Sequence, residues 1–365
     1  MTVRRLVVKI GSALLVDHQG RLRHDWLDSL AADLAACRGR GQEVIVVTSG
    51  AVALGRPRLG LRPGTLRLED QQAAAAVGQI NLAHAYQESL ARHGLSTAQL
   101  LLTLGDTESR RRYLNARSTI GSLLRLGVVP VVNENDTVAT NEIRFGDNDR
   151  LSARVAVMAS ADQLILLSDV DGLYTADPSQ SPDAVRLELV SAITPEIEAM
   201  AGGSGSQVGT GGMVSKLAAA KIATRAGCAV VLAPGGVTRP LTQLEQGGRC
   251  TRFPARQNPG RARKDWIAAS LAAMGVIRID AGAARALRRG SSLLPAGVVA
   301  VEGTFERGDP VLVRGPDGID LAKGLCAYDA DDARLIQGHR TEAIAGILGY
   351  QGRDELIHRD DLVLL

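Results

Sequence analysis

The chain predicts an α/β fold, with a mostly parallel central sheet covered by helices on both faces and a small β-rich domain after it. Three observations lead there. Apolar runs at 6–10, 44–48, 99–103, 128–132, 164–168 and 229–232 alternate with helical patterns at 24–38, 70–92, 115–126, 148–159 and 213–226. That is the rhythm of a parallel β-α-β sheet. All six runs read as buried-type, apolar throughout rather than alternating, as strands covered on both sides are. Finally, 365 residues exceed one ordinary domain, so two domains are expected.

The first strand, at 6–10, follows Arg4-Arg5 and so imitates a secretory leader. Lys9 interrupts the run and no small-residue cleavage site closes it, so a strand is the better reading. No other stretch approaches the ~18 apolar residues of a membrane span, which points to a cytoplasmic protein. The alanine-rich patch at 72–77 reads as a helix interior. Aromatics are 3% of the chain and glycines number 40, so Val, Leu, Ile and Ala must build the core around glycine turns.

At 249–264 the composition shifts to Arg249, Arg252, Arg256, Arg261, Arg263 and Lys264 with Pro254 and Pro259. Such a stretch reads as a linker. We expect a first domain at 1–255, a linker at 256–274 and a second domain at 275–365, where short strands alternate with glycine turns.

Charge and cysteine usage exclude several classes. The net charge of +3 is weak for a dedicated nucleic-acid binder. The last 91 residues hold 11 Lys+Arg against 14 Asp+Glu and only three aromatics, Phe305, Tyr328 and Tyr350. RNA binding by that tail is disfavoured, since it wants positive charge and stacking faces. Cys37, Cys228, Cys250 and Cys326 form no CxxC pair, which fits a reducing compartment. The six histidines are scattered without metal-ligand spacing, and no Ser-His-Asp constellation is evident.

Polar signatures sit where the strands end, the place where ligands bind in open parallel sheets. Lys9-Ile10-Gly11-Ser12 offers a mobile cation beside backbone N–H groups, although a lysine on a half-exposed edge strand is an equal alternative. Ser49-Gly50-Ala51 can hold an anion at a helix start or simply cap that helix. Asn133-Glu134-Asn135-Asp136 and Gly146-Asp147-Asn148-Asp149 bracket residues 137–144, in the manner of a substrate lid. Asp149 falls near a helix N-terminus, which keeps a carboxylate ionised and able to fix lysines. Its surroundings lack the spacing of an EF-hand. Ser168-Asp169 closes another strand, as a nucleotide contact or a plain turn. Gly209-Thr210-Gly211-Gly212-Met213-Val214-Ser215-Lys216 runs glycine-rich loop into helix, which is what a phosphate cradle needs. Two lysines and an acid at strand ends suit phosphoryl transfer, which depends on positioning and charge stabilisation.

Together these segments, with Ser168-Asp169-Val170-Asp171-Gly172-Leu173-Tyr174-Thr175-Ala176-Asp177-Pro178, resemble the amino acid kinase family. Within it they resemble the branch that phosphorylates glutamate. The matching segments span about residues 3–236. Arg289-Gly290-Ser291-Ser292-Leu293 and Gly303-Thr304-Phe305-Glu306-Arg307-Gly308-Asp309 resemble a PUA domain.

The resemblance implies a three-layer sandwich followed by a small PUA-like barrel. It also implies ATP-dependent phosphorylation of the γ-carboxylate of L-glutamate, the first step of proline biosynthesis, with Mg²⁺ bridging the phosphates of ATP. Lys9 and Lys216 would stabilise the transferring phosphoryl and Asp149 would organise them. Ser49, Asp136, Asn148, Asn133 and Asp147 would hold glutamate. Lys9, Ser168, Asp169, Thr210, Gly211, Gly212, Met213, Val214, Ser215 and Lys216 would hold the nucleotide. A homo-oligomer, dimer or tetramer, and hand-off of the product to glutamyl phosphate reductase are further implications. Arg144 stands where the family commonly has lysine, and Ser168 where it has threonine. Sister kinases of N-acetylglutamate, aspartate or uridylate are the nearest alternatives, and the Thr210–Met213 signature and the PUA-like tail count against them.

Overall fold

A computed structural model describes residues 3–62, 64, 66–138, 148–201, 212–255, 257–269 and 272–365. The chain divides into two compact units, Met1–Pro259 and Gly260–Leu365.

The first unit runs β1 (Arg5–Ile10), α1 (Ser12–Leu15), α2 (His24–Gly39), β2 (Glu43–Val47), α3 (Ala51–Arg58), α4 (Leu68–Ala91), β3 (Thr97–Leu102), α5 (Leu104–Glu108), α6 (Arg110–Arg125), β4 (Val129–Glu134), α7 (Asn148–Met158) and β5 (Gln163–Ser168). It continues through β6 (Leu173–Tyr174), β7 (Arg186–Leu187), α8 (Pro195–Ala201), α9 (Met213–Arg225), β8 (Ala229–Pro234), α10 (Pro240–Glu245) and β9 (Thr251–Phe253). The main sheet has the order β3-β4-β2-β1-β5-β8-β9. Its first six strands pair in parallel, and β9 runs antiparallel to β8.

Alternation along the strands sorts the core into two layers. Leu6, Val8 and Ile10 of β1, with Val44 and Val46 of β2, join Leu27, Leu30 and Leu34 of α2 on one face. Val7, Ile45 and Val47 join Leu151, Val155 and Met158 of α7 and Leu217 of α9 on the other. Lys9 shares the second face with Val7 by the same alternation, so it projects toward α7 and α9. That register decides where the chemistry can sit.

Helices α3 and α4 meet backbone to backbone. A Cβ on Gly55 would fall on the carbonyl of Ala74, and one on Gly78 would fall on the carbonyl of Ala51. The alanine patch at 72–77 is indeed helix interior, and its Ala74 and Ala75 are buried. Other details differ from the sequence reading. Strand β3 is an edge strand and is mostly only half-buried, not covered on both faces. Helix α6 begins at Arg110, five residues before the helix read from the sequence.

The second unit comprises α11 (Pro259–Ala269), β10 (Gly275–Ile279), α12 (Ala281–Arg288), β11 (Val298–Gly303), β12 (Pro310–Arg314), β13 (Asp320–Leu325), α13 (Ala330–Ile336), α14 (Thr341–Leu348) and β14 (Leu362–Leu364). Its sheet has the order β11-β10-β12-β13-β14. All its pairings are antiparallel except β10 with β12. Ile277, Ile279, Val311, Val313, Ile336 and Leu356 belong to a separate core. Helix α11 occupies much of 256–274, the stretch expected to be a linker. It packs within this unit, with Arg263 in a buried ion pair with Asp361 at 2.6 Å and Ile267 fully buried. No helix of the described residues is long and apolar enough to cross a membrane. The four cysteines are buried and free, and burial pushes the Cys37 thiol up to about 11.

Candidate active site

Strand order reverses direction around β1, since β2 lies on one side of it and β5 on the other. The crevice beyond the carboxyl ends of such strands is where open α/β sheets bind ligands. Gly11, directly after β1, lies against the carbonyl of Leu167 in β5 and near Nζ of Lys9.

Lys9 faces α7 from the carboxyl-terminal half of β1, and it is 7% exposed. Its Nζ lies 2.6 Å from Oδ1 of Asp149. Lys216, also 7% exposed, places Nζ 3.3 Å from Oδ2 of the same carboxylate. Asp149 thus bridges two ammonium groups contributed from opposite ends of the first unit. It stands in the first turn of α7, where the helix dipole favours a negative charge. Ser215 donates to Oδ2 at 2.8 Å, and Ser152 donates to the Asp149 carbonyl at 2.6 Å. Burial acts to raise the Asp149 pKa. The charges of Lys9 and Lys216 and the hydrogen bonds from Lys9 and Ser215 outweigh it, holding the carboxyl below its usual range. A buried lysine here is no edge-strand accident, because β1 is central and its ammonium is paired.

The second cluster is polar and uncharged. Ser49 precedes Gly50, which adopts φ 107 as the N-cap of α3, a conformation that favours glycine. The Ser49 hydroxyl accepts a hydrogen bond from Nδ2 of Asn148 at 2.8 Å. The same Nδ2 reaches Oδ1 of Asn133 at 3.3 Å, and Nδ2 of Asn133 donates to Oε1 of Gln79 at 2.8 Å. Nearby, Thr48 and Tyr86 share a buried hydroxyl contact at 2.9 Å. Asp136 sits just beyond β4, and burial raises its pKa to about 6.

A third group lies after β5. Ser168 is buried and donates to Oδ1 of the exposed Asp169 at 2.8 Å. The Ser168 carbonyl accepts from N–H of Gly235 at 2.6 Å, which ties the ends of β5 and β8 together. Gly212 caps α9, and Val214 is 57% exposed at its first turn. Asp147, Arg144, Thr210 and Gly211 lie outside the described residues.

The structure therefore brings Lys9, Asp149 and Lys216 together as one cluster and Ser49, Asn133 and Asn148 as another, joined through the neighbouring Asn148 and Asp149. Ser215, expected as a nucleotide contact, spends its hydroxyl on Asp149 and on the Gly212 carbonyl. Gln79, Tyr86 and Ser152 were not singled out from the sequence. Gln79 and Tyr86 lie inside an alanine-rich helix with no motif around them, and only the fold reveals their partners.

Residues 4–234 match the amino acid kinase family and residues 275–348 match the PUA domain. Glutamate 5-kinase of Paramagnetospirillum magneticum is 61% identical over 362 residues, 99% of this chain and 98% of that protein. Glutamate 5-kinase of Rhodospirillum rubrum is 60% identical over 98% of this chain and 96% of its own. The enzyme of the same name from a Ruegeria species is 58% identical over 100% and 99%. With the match running through the strand ends that carry both clusters, the chain belongs to the amino acid kinase family.

Proposed function

We propose that this chain phosphorylates the γ-carboxylate of L-glutamate with ATP, the first step of proline biosynthesis. The observation that carries the chemistry is the single buried carboxylate of Asp149 bridging two lysines at the carboxyl edge of the sheet. Near-full-length relatives named glutamate 5-kinase support the substrate.

In this reading an oxygen of the γ-carboxylate attacks the γ-phosphorus of ATP. The bond from that phosphorus to the β,γ-bridging oxygen breaks, and ADP leaves with its electrons. The products are γ-glutamyl phosphate and ADP. The nucleophile is already ionised near neutral pH, so no general base is required. Asp149, held anionic by its neighbours, is accordingly an orienting group. Its two ammonium partners relieve the repulsion between the carboxylate and the triphosphate and match the charge spread over the transferring oxygens.

Ser49, Asn133, Asn148 and Asp136 hold glutamate, and Asp147, next to Asn148 in sequence, is assigned to the same task. Ser168, Asp169 and the segment from Thr210 to Lys216 hold the nucleotide. Among the described residues no group of three or more His, Cys, Asp or Glu gathers at a metal-sized site, and Asp149 is committed to the lysines. Mg²⁺ fits as an ion carried on the ATP phosphates with its own waters, where it would neutralise phosphate charge. A homo-oligomer, a cytoplasmic location and delivery of the labile acyl phosphate to a reductase belong to the same reading.

Hydroxylamine traps acyl phosphates as hydroxamates. With ATP and Mg²⁺, hydroxamate is expected with glutamate and not with aspartate or N-acetylglutamate, and no ADP is expected to form with UMP. Product from aspartate and none from glutamate would overturn the assignment.

A further inference from the structure

Gln79 is buried at 9% exposure in the middle of α4, far in sequence from any residue of the clusters above. Its Oε1 accepts the hydrogen bond from Nδ2 of Asn133. An amide offers two donors on nitrogen and an acceptor on oxygen, so a chain of amides has a direction. With Nδ2 of Asn133 turned to Gln79, Oδ1 of Asn133 faces Asn148 and accepts from it. Asn148 then has its nitrogen committed to Asn133 and to Ser49. Its Oδ1 is left buried, with no hydrogen-bond partner among the described residues. A buried acceptor without a donor is costly, and a ligand that brings N–H groups removes the cost.

We infer that Gln79 is a positioning residue for the amino acid substrate: it sets the direction of the Gln79–Asn133–Asn148 amide chain, so that Asn148 presents a carbonyl oxygen, an acceptor for the α-ammonium of glutamate. The inference rests on the glutamate-kinase reading. In the opposite direction Asn148 would present an NH₂ group, which repels an ammonium.

The backbone supports this role. Gly78 lets α4 touch α3 directly, and a side chain there would fall on the carbonyl of Ala51. The neighbouring Gln79 is thereby held at a fixed depth. About two turns further along the same face of α4, Tyr86 reaches Thr48 just before Ser49. The helix is therefore held at two points, against the start of α3 and at the end of β2, and Gln79 lies between them in sequence.

Steady-state kinetics on the full chain, read by hydroxamate, test it. Wild-type product with glutamate reports on the parent reading, and the variants report on Gln79. Gln79→Met keeps the side-chain length and removes the acceptor. It is expected to raise KM for glutamate about tenfold, with kcat and KM for ATP within about twofold. Gln79→Glu still accepts from Asn133 and is expected to bring KM back to within about threefold of wild type. Adding Gln79→Met to Asn148→Ala should cost nothing further, because both break one chain. An unchanged KM in Gln79→Met, no recovery in Gln79→Glu, or penalties that multiply in the double variant would each overturn the inference. Should the methionine not be accommodated, Gln79→Ala is read by the same criteria.

Discussion

At the scale of single residues, the site turns on charges that burial makes expensive. Lys9, Asp149 and Lys216 are each nearly inaccessible, and a buried charge persists only when paired. Lys216→Ala is expected to lower kcat by roughly 10²–10³ while changing KM for glutamate far less, as loss of a transition-state contact does. Single-turnover and steady-state rates check it, and an unchanged kcat would remove Lys216 from the reaction. Asp136 yields a pH prediction. Its carboxyl is raised to about 6 by burial, so it loses its negative charge as pH falls through that value. The kcat/KM for glutamate should therefore drop below about pH 6, with a free-enzyme pKa visible in that profile. Asp136→Asn should abolish the acid limb, and a variant that retained it would assign the limb elsewhere. These residues were legible because polar side chains at the ends of apolar runs stand out. Gln79 was not, because its partner Asn133 is 54 positions away and its local sequence is ordinary helix.

At the scale of elements, what could be read was periodicity and what escaped was contact. Strands β1, β2, β4, β5 and β8 were visible as apolar runs because both their faces are covered. The start of helix α3 was read after Ser49-Gly50 but its extent was not, since Gly55 and Pro57 sit within its eight residues and both residue types discourage helix in isolation. Here Gly55 is required by the crossing with α4, a tertiary reason invisible locally. Helix α11 was hidden by the opposite error. Pro259 opens it, and proline is tolerated in a first turn, whereas proline among basic residues reads as a linker. The crossing itself can be tested. Gly78→Ala must push α3 from α4 and is expected to cost about 1–3 kcal/mol, seen as a lowered Tm. Gly39→Ala, at the end of α2 with nothing near its Cβ position, is the control and should leave Tm unchanged or slightly raised. Equal losses in both would show that the close approach is not the cause.

At the scale of the whole molecule, the chain is two units with separate cores. All the described candidate residues fall in the first. A fragment of residues 1–259 is therefore expected to form hydroxamate from glutamate at a rate within about tenfold of the full chain, since large effects come from a short set of mechanisms and none of those groups is removed. The fragment 260–365 is expected to fold alone, shown by a cooperative melt. With its acidic surplus, it should not shift single- or double-stranded RNA in a gel. An inactive first fragment would make the PUA unit part of the catalytic apparatus. The two-unit division was legible from length and from the change to short strands and glycine turns. The helices of the second unit were not, because α12, α13 and α14 have only seven or eight residues each.

The carboxylate between two lysines has a bearing on how the protein comes into being. One ammonium belongs to the first strand and the other to residue 216, so a ribosome delivers them at nearly opposite ends of the first unit's synthesis. Until the late helix docks, Asp149 lacks one of the two ammonium groups it pairs with, and on the proposed reading the nascent chain has only half of its phosphate grip. On that reading a half-made enzyme is expected not to consume nucleotide. In a denaturant titration, release of the late helix alone would silence the reaction while most of the sheet still stood, so catalysis should disappear no later than the strands themselves.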